Sequence, residues 1–147
     1  MIIIAHRGLV AGPNRGLENT PNQIDLAIQM EFGVEIDLWC VDRKYFLGHD
    51  EPQYEIDVEW LYKRENSLWI HCKNIDALLK MKKSSLHYFW HENDTVTLTS
   101  KGFIWAYPGK QPIKNSIAVM PEIYNDPVEE CFGICTDYAI KYRDMRI

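Results

Sequence analysis

The sequence predicts an α/β fold built on a parallel sheet. Three observations point there. Short apolar runs recur along the 147 residues. Helical segments with recognisable ends separate these runs in the first half. Three successive runs also end in polar, chemistry-bearing residues, as strands of an α/β barrel do at their carboxyl ends. The length suits one domain, so residues 1–147 are read as a single unit.

The first run is 2–6, Ile-Ile-Ile-Ala-His. Residues 20–32 read as a helix: Thr20 caps it, Pro21 suits the first helical position, and Gln23 completes a capping box. Ile24, Ala27 and Ile28 supply an apolar stripe, and Gly33 a C-terminal stop. Residues 34–41 form the second strand, and 45–47 pair with its end after the Asp42-Arg43-Lys44 turn. A short helix over 58–63 precedes a strand over 68–72. A helix capped by Asn74 runs to 83, with Lys80, Lys82 and Lys83 in its solvated last turn, and a strand follows over 87–90. Beyond it, 103–107, 117–120 and 133–136 read as strands whose connections hold little helical pattern.

Composition narrows the function. Hydrophobic residues make up 46% of the chain and charged residues 25%, which excludes disorder as the main state. Lys and Arg number 16 against 21 Asp and Glu, so no nucleic-acid or anionic-membrane partner is expected. No apolar run approaches the ~20 residues of a membrane span, so no stable membrane insertion is expected. Met1 leads straight into the first strand with no basic segment ahead of it. Cys40 and Cys72 sit singly in apolar runs, and Cys131 and Cys135 lack the usual metal or redox spacing. Reduced thiols and a cytoplasmic location are expected.

Chemistry gathers at the strand ends. The first strand ends in His6-Arg7-Gly8; the second carries Glu35 and Asp37 and continues to His49-Asp50; the third carries His71 and Lys73. Residues two apart in a strand share a face, so Glu35 points with Asp37 and His71 with Lys73. Two carboxylates on one face repel each other, and a bound cation is the usual compensation. Oxygen ligands favour Mg²⁺ or Ca²⁺. Each pair alone also fits an exposed edge strand; the joint pattern favours a site. Trp105 and Tyr107, ahead of a Pro-Gly turn, are candidates for a pocket wall. His91-Glu92-Asn93-Asp94 follows the fourth strand either toward the site or as a polar loop, Glu122 is a similar case, and Asp137 is a candidate loop cap.

His6-Arg7-Gly8, Glu18-Asn19-Thr20-Pro21, Glu35-Ile36-Asp37 and His49-Asp50, in this order, resemble the motif series of the glycerophosphodiester phosphodiesterase family. The closing Gly133-Ile134-Cys135-Thr136-Asp137 is similar to that family's last strand. The resemblance implies a TIM-type (β/α) barrel, a divalent cation and cleavage of a small phosphodiester substrate. By it, His6 and His49 are the catalytic acid and base, and Arg7 and Lys73 contact the phosphate. Glu35 and Asp37 hold the metal, with Glu18 as a ligand or beside one. The family carries an acid where His71 stands. An imidazole there suits Mn²⁺, Zn²⁺ or Fe²⁺ better than Mg²⁺ or Ca²⁺.

Only 20 residues separate Asp50 from His71, too few for the family's usual insertion. A full barrel takes about 200 to 250 residues. A reduced barrel is therefore expected, with several helices of the second half shortened or missing. A homo-oligomer covering exposed strand faces is a further expectation. Two other functions use the same residues: a non-catalytic module that binds a phosphate ligand, and a phosphoryl lyase or transferase forming a cyclic phosphate.

Overall fold

The computed structural model describes residues 1–145. Its strands are β1 (Ile2–Ala5), β2 (Gly33–Val41), β3 (Lys44–Leu47), β4 (Tyr54–Ile56), β5 (Leu68–Cys72), β6 (Tyr88–Phe89), β7 (Val96–Leu98), β8 (Ile104–Ala106), β9 (Ile117–Val119) and β10 (Gly133–Thr136). Its α-helices are α1 (Pro21–Gln29), α2 (Val58–Tyr62), α3 (Ile75–Met81) and α4 (Ala139–Asp144). β1, β2, β5 and β6 pair in parallel in chain order, and β8, β9 and β10 do the same. The first strand then pairs with the last, β1 with β10, which curls the sheet. α1 and α3 cross between parallel strands in the first half, whereas the β8–β9 and β9–β10 connections hold no α-helix.

The sheet is a partial barrel with few helices, which meets the expectation of a reduced barrel only in part, since it does not close as a TIM-type barrel does. Among the described residues no ladder joins β6 to β8. β6 is two residues long, and the free edge of β8 is taken by antiparallel β7. Scattered hydrogen bonds bridge the gap instead, among them Ser100 N–H to the Tyr88 carbonyl at 2.8 Å, Tyr88 N–H to Ser100 Oγ at 3.0 Å, and the Thr97 hydroxyl to the Trp90 carbonyl at 2.8 Å. β3 extends β2 as an antiparallel hairpin, and β4 adds to its edge.

Alternation in β2 separates two cores. Val34, Ile36, Leu38 and Cys40 belong to the larger, which packs α1, α2 and α3 against the outer face. The smaller core fills the curl with Ile4, Trp69, Phe89, Trp105, Ile117 and Cys135, each from a different parallel strand. Gly33 lies on this inward face, where a Cβ would come within 3.3 Å of Trp69 Nε1 and of Ile4. The glycine thus makes room for the indole, and it opens β2 rather than stopping α1. The left-handed residue after the helix is Glu31 (φ 66°). All four cysteines are free, and Cys40, Cys72 and Cys135 are buried. No helix among the described residues is long and apolar enough to cross a membrane.

The capping box at α1 is half formed. Thr20 accepts from the Gln23 N–H at 3.3 Å, but the Gln23 amide turns away and donates to the Gly8 carbonyl at 2.9 Å. The helix start thereby pins the turn that follows β1.

His87 is buried beneath Trp69, with ring centroids 4.1 Å apart, and its Nε2 is hydrogen-bonded to Thr99 Oγ1 at 2.8 Å. Burial, aided by the Lys101 charge, pulls its pKa down to about 4. An unfolded histidine titrates near 6.5, so between these values the unfolded chain holds the extra proton. This part of the stability is complete above about pH 6.5 and falls away as pH drops toward 4. We predict that His87→Phe shows a shallower loss of urea midpoint between pH 7.5 and 4.5 than the wild type. Parallel losses in the two proteins would rule out His87 as a source of this acid sensitivity.

Candidate functional site

β2 carries Glu35 and Asp37 toward the inside of the curl, and both are essentially without solvent exposure. The parallel register of β5 sets His71 beside Asp37. His71 Nδ1 lies 3.2 Å from Asp37 Oδ1 and 3.8 Å from Glu35 Oε1. Its Nε2 faces the His91 carbonyl at 2.8 Å. A carbonyl can only accept, so Nε2 carries a proton, and Nδ1 is directed at the carboxylates.

The two acids are compensated unequally. Asn19 clasps Asp37, donating from Nδ2 to Oδ2 at 2.8 Å and accepting the Asp37 N–H at 3.0 Å. Arg7 Nε lies 3.3 Å from Asp37 Oδ2, and Lys73 Nζ 3.8 Å from Oδ1. Burial alone would raise Asp37; His71, Arg7 and Lys73 together hold it well below the ordinary range. Glu35 accepts one N–H, from the Arg7 backbone at 3.1 Å. Burial, and then the Asp37 charge, push Glu35 up against the pull of His6, His71 and Arg7.

The turn after β1 delivers His6 and Arg7. It is a 3-10 turn over His6–Gly8, in which Arg7 is left-handed (φ 52°). His6 Nδ1 is 2.7 Å from Asp137 Oδ1, just beyond β10. Asp137 also accepts the Gly12 N–H on its carbonyl at 2.8 Å, which fastens the following loop. Burial lowers the His6 pKa, but the Asp137 hydrogen bond and the Glu35 charge outweigh it, and the net shift is upward. Arg7 Nη1 donates to Glu18 Oε2 at 3.0 Å.

The β2–β3 hairpin delivers His49. Gly48 donates its N–H to the Asp37 carbonyl at 3.2 Å and accepts Trp39 Nε1 on its own carbonyl at 2.6 Å. Its φ is 152°, and a Cβ there would run into the Glu51 carbonyl oxygen, so only glycine fits. His49 Nδ1 is 2.7 Å from Asp50 Oδ1.

One cavity of about 170 Å³ is lined by His6, Arg7, Glu35, Asp37, His49 and His71, and also by His91, Trp105 and Tyr107. Eight of the ten residues given a catalytic, phosphate, metal or pocket-wall role from the sequence therefore share it. Lys73 reaches the cluster through Asp37. Glu18 is set at a remove, on Arg7, and is not one of the three closely spaced donors. Glu122 is elsewhere, accepting from the Thr136 hydroxyl at 2.8 Å. Asp137 holds His6 rather than only capping a loop. Sequence reasoning gave Asn19 no role, although it stands within the Glu18–Pro21 motif. The apolar lining from Pro108, Val119 and Met120 carried no signal.

The donor set fits a divalent cation. One ligand atom each from Glu35, Asp37 and His71 lie within 4.8 Å of one another, two of these groups are buried acids, and Glu35 remains under-compensated. Such an ion would be held by those three side chains. Against models of known protein families, against curated proteins and against solved structures, the chain matches none.

Glu35→Gln removes an uncompensated charge yet keeps an acceptor for the Arg7 N–H. We predict that this variant is more stable than the wild type in chelator. Mn²⁺ at a hundred times its Kd adds about 2.7 kcal/mol to the wild type and almost nothing to the variant. The wild-type gain shrinks as pH falls through the raised Glu35 pKa, because protons compete for the ligand. Equal stabilisation of both proteins in urea melts would show that the ion binds elsewhere.

Proposed function

We propose that the protein is a small metal-dependent phosphodiesterase of the glycerophosphodiester type. The observation that carries this reading is the convergence of two Asp-oriented histidines on one cavity with a three-donor cluster and Arg7. Each histidine has Nδ1 committed to a carboxylate, which leaves Nε2 for the reacting groups. A general acid and a general base are what in-line displacement at phosphorus requires.

His6 is buried, and the carboxylates of Asp137 and Glu35 favour its protonated form; it is the acid that protonates the departing alkoxide. His49 stands at the more open side and takes the proton of the attacking water. A P–O bond forms to that water oxygen as the P–O bond to the alcohol breaks, and each histidine returns to its starting state by exchange with solvent. The cluster's cation, when bound, offsets negative charge on the phosphoryl oxygens. Arg7 offers a planar fork to the same oxygens, and Glu18 keeps that fork oriented. Lys73 adds a second positive charge. A cavity of about 170 Å³ suits a phosphate with a short alcohol arm better than a lipid.

The test is turnover of bis(p-nitrophenyl) phosphate and glycerophosphocholine across Mg²⁺, Ca²⁺, Mn²⁺ and Zn²⁺. Loss of roughly 10²- to 10⁴-fold is expected in both His6→Ala and His49→Ala. Phosphorus NMR of the product separates hydrolysis from transfer to a cyclic phosphate. No turnover with any ion, alongside retained phosphate binding, would replace the enzyme by a phosphate-binding module. Asp137→Asn removes a charge that raises His6, so the limb of the pH–rate profile due to His6 should move to lower pH. An unmoved limb would take the acid role away from His6.

A further inference from the structure

The proposed chemistry leaves part of the cavity unused. Beside the charged groups the lining is Trp105, Tyr107, Pro108, Val119 and Met120, and His91 lies among them. The His91 side chain is 8% exposed, and its ring lies tilted at 45° to that of Tyr107, with centroids 4.3 Å apart. Both ring nitrogens are buried and neither has a hydrogen-bond partner. A buried polar atom without a partner is costly, so a histidine held this way is poised for a group that the protein itself does not supply.

The neighbours do not supply one in this structure. The Tyr107 hydroxyl is engaged with the Glu92 carbonyl. The backbone carbonyl of His91 is taken by His71 Nε2. The Asp94 carboxylate is 3.6 Å from Nδ1, beyond hydrogen-bond reach. The His71 and His91 rings are 6.5 Å apart, a span that a two- or three-carbon arm covers from a phosphate at the donor cluster. Arg7 and Lys73 already provide donors for the phosphoryl oxygens. The apolar lining is where the rest of the substrate would rest. A hydroxyl can both donate and accept, so it satisfies an imidazole nitrogen in either tautomer, which a plain alkyl group cannot.

We propose that His91 binds a hydroxyl on the alcohol arm of the substrate and so selects hydroxyl-bearing phosphate esters over plain alkyl ones. This rests on the phosphodiester reading of the site. His91 is a specificity residue in this account and takes no part in bond cleavage.

The experiment compares three non-hydrolysed ligands by calorimetry on the full chain with saturating Mn²⁺: inorganic phosphate, ethyl phosphate and 2-hydroxyethyl phosphate. The last two differ by one hydroxyl. The wild type should bind 2-hydroxyethyl phosphate about ten-fold more tightly than ethyl phosphate, the worth of one well-made hydrogen bond. His91→Phe, which keeps an aromatic ring against Tyr107, should bring that ratio near one and leave inorganic phosphate unchanged. His91→Gln, which keeps a donor and an acceptor, should restore part of it. A wild-type ratio near one, or a ratio that His91→Phe leaves intact, overturns the proposal. So does an equal loss of all three ligands in His91→Phe, which would put His91 on the phosphoryl group. Failure of the wild type to bind inorganic phosphate at all instead overturns the phosphodiester reading, and His91's role with it.

Discussion

Two carboxylates on one face of β2, deprived of water, set the terms for everything around them. Burying a charge costs several kcal/mol per ion even after relaxation, and a second like charge two residues away adds to it. Asp37 is settled by a full complement of partners: the Asn19 amide, Arg7, Lys73 and His71. Glu35 has the Arg7 N–H and little else of its own. The asymmetry is informative. A purely structural ion-pair network would leave both acids neutralised. Here one is fixed as a rigid anchor and the other is left with unmet charge beside it.

Meeting the needs of Asp37 also places the groups proposed to react. Arg7 and His6 are consecutive, so the left-handed turn that brings the Arg7 guanidinium toward Asp37 sets His6 against Asp137. The Asp37 backbone carbonyl receives Gly48, which opens the loop carrying His49. His71 is its register partner on β5. Both proposed catalytic histidines are thus tied to one strand position, one through a side chain and one through the main chain. Removing one partner of a buried charge typically costs about 3–5 kcal/mol, which applies to the Arg7 link; the Gly48 link is an ordinary backbone hydrogen bond.

Much of this was legible because strand periodicity carries it. Glu35 with Asp37, and His71 beside Lys73, follow from a spacing of two. All seven parallel strands are visible as apolar runs, although β6 shrinks to Tyr88–Phe89. What escaped depends on partners far along the chain. β4 and β7 are three residues each and are strands only because β3 and β8 offer them an edge. α4 lacks a side-chain cap and follows the last strand without a sequence signal. The Asp137–His6 contact spans 131 residues, so no local pattern reports it. The gap between β6 and β8 is of the same kind: it arises because β7 occupies an edge, which no single segment reveals.

His71 is where the sequence departs most from the pattern it resembles, and its surroundings give the departure a consequence. An acid at this position would place a third anion against Glu35 and Asp37. An imidazole lowers that charge and puts a directional nitrogen where an acid would put an oxygen, the kind of donor that Mn²⁺ or Zn²⁺ accepts more readily than Mg²⁺ or Ca²⁺ does. The orientation of that nitrogen is not set by His71 alone. It is fixed through Nε2 by the main-chain carbonyl of His91, the way an outer partner commonly orients a ligating histidine. The same residue presents its own unpaired ring to the cavity. The candidate ligand His71 and the proposed contact with a substrate arm therefore meet at one short stretch of chain after β6. A change in how the 91–94 loop sits would move the His71 nitrogen and the cavity wall together.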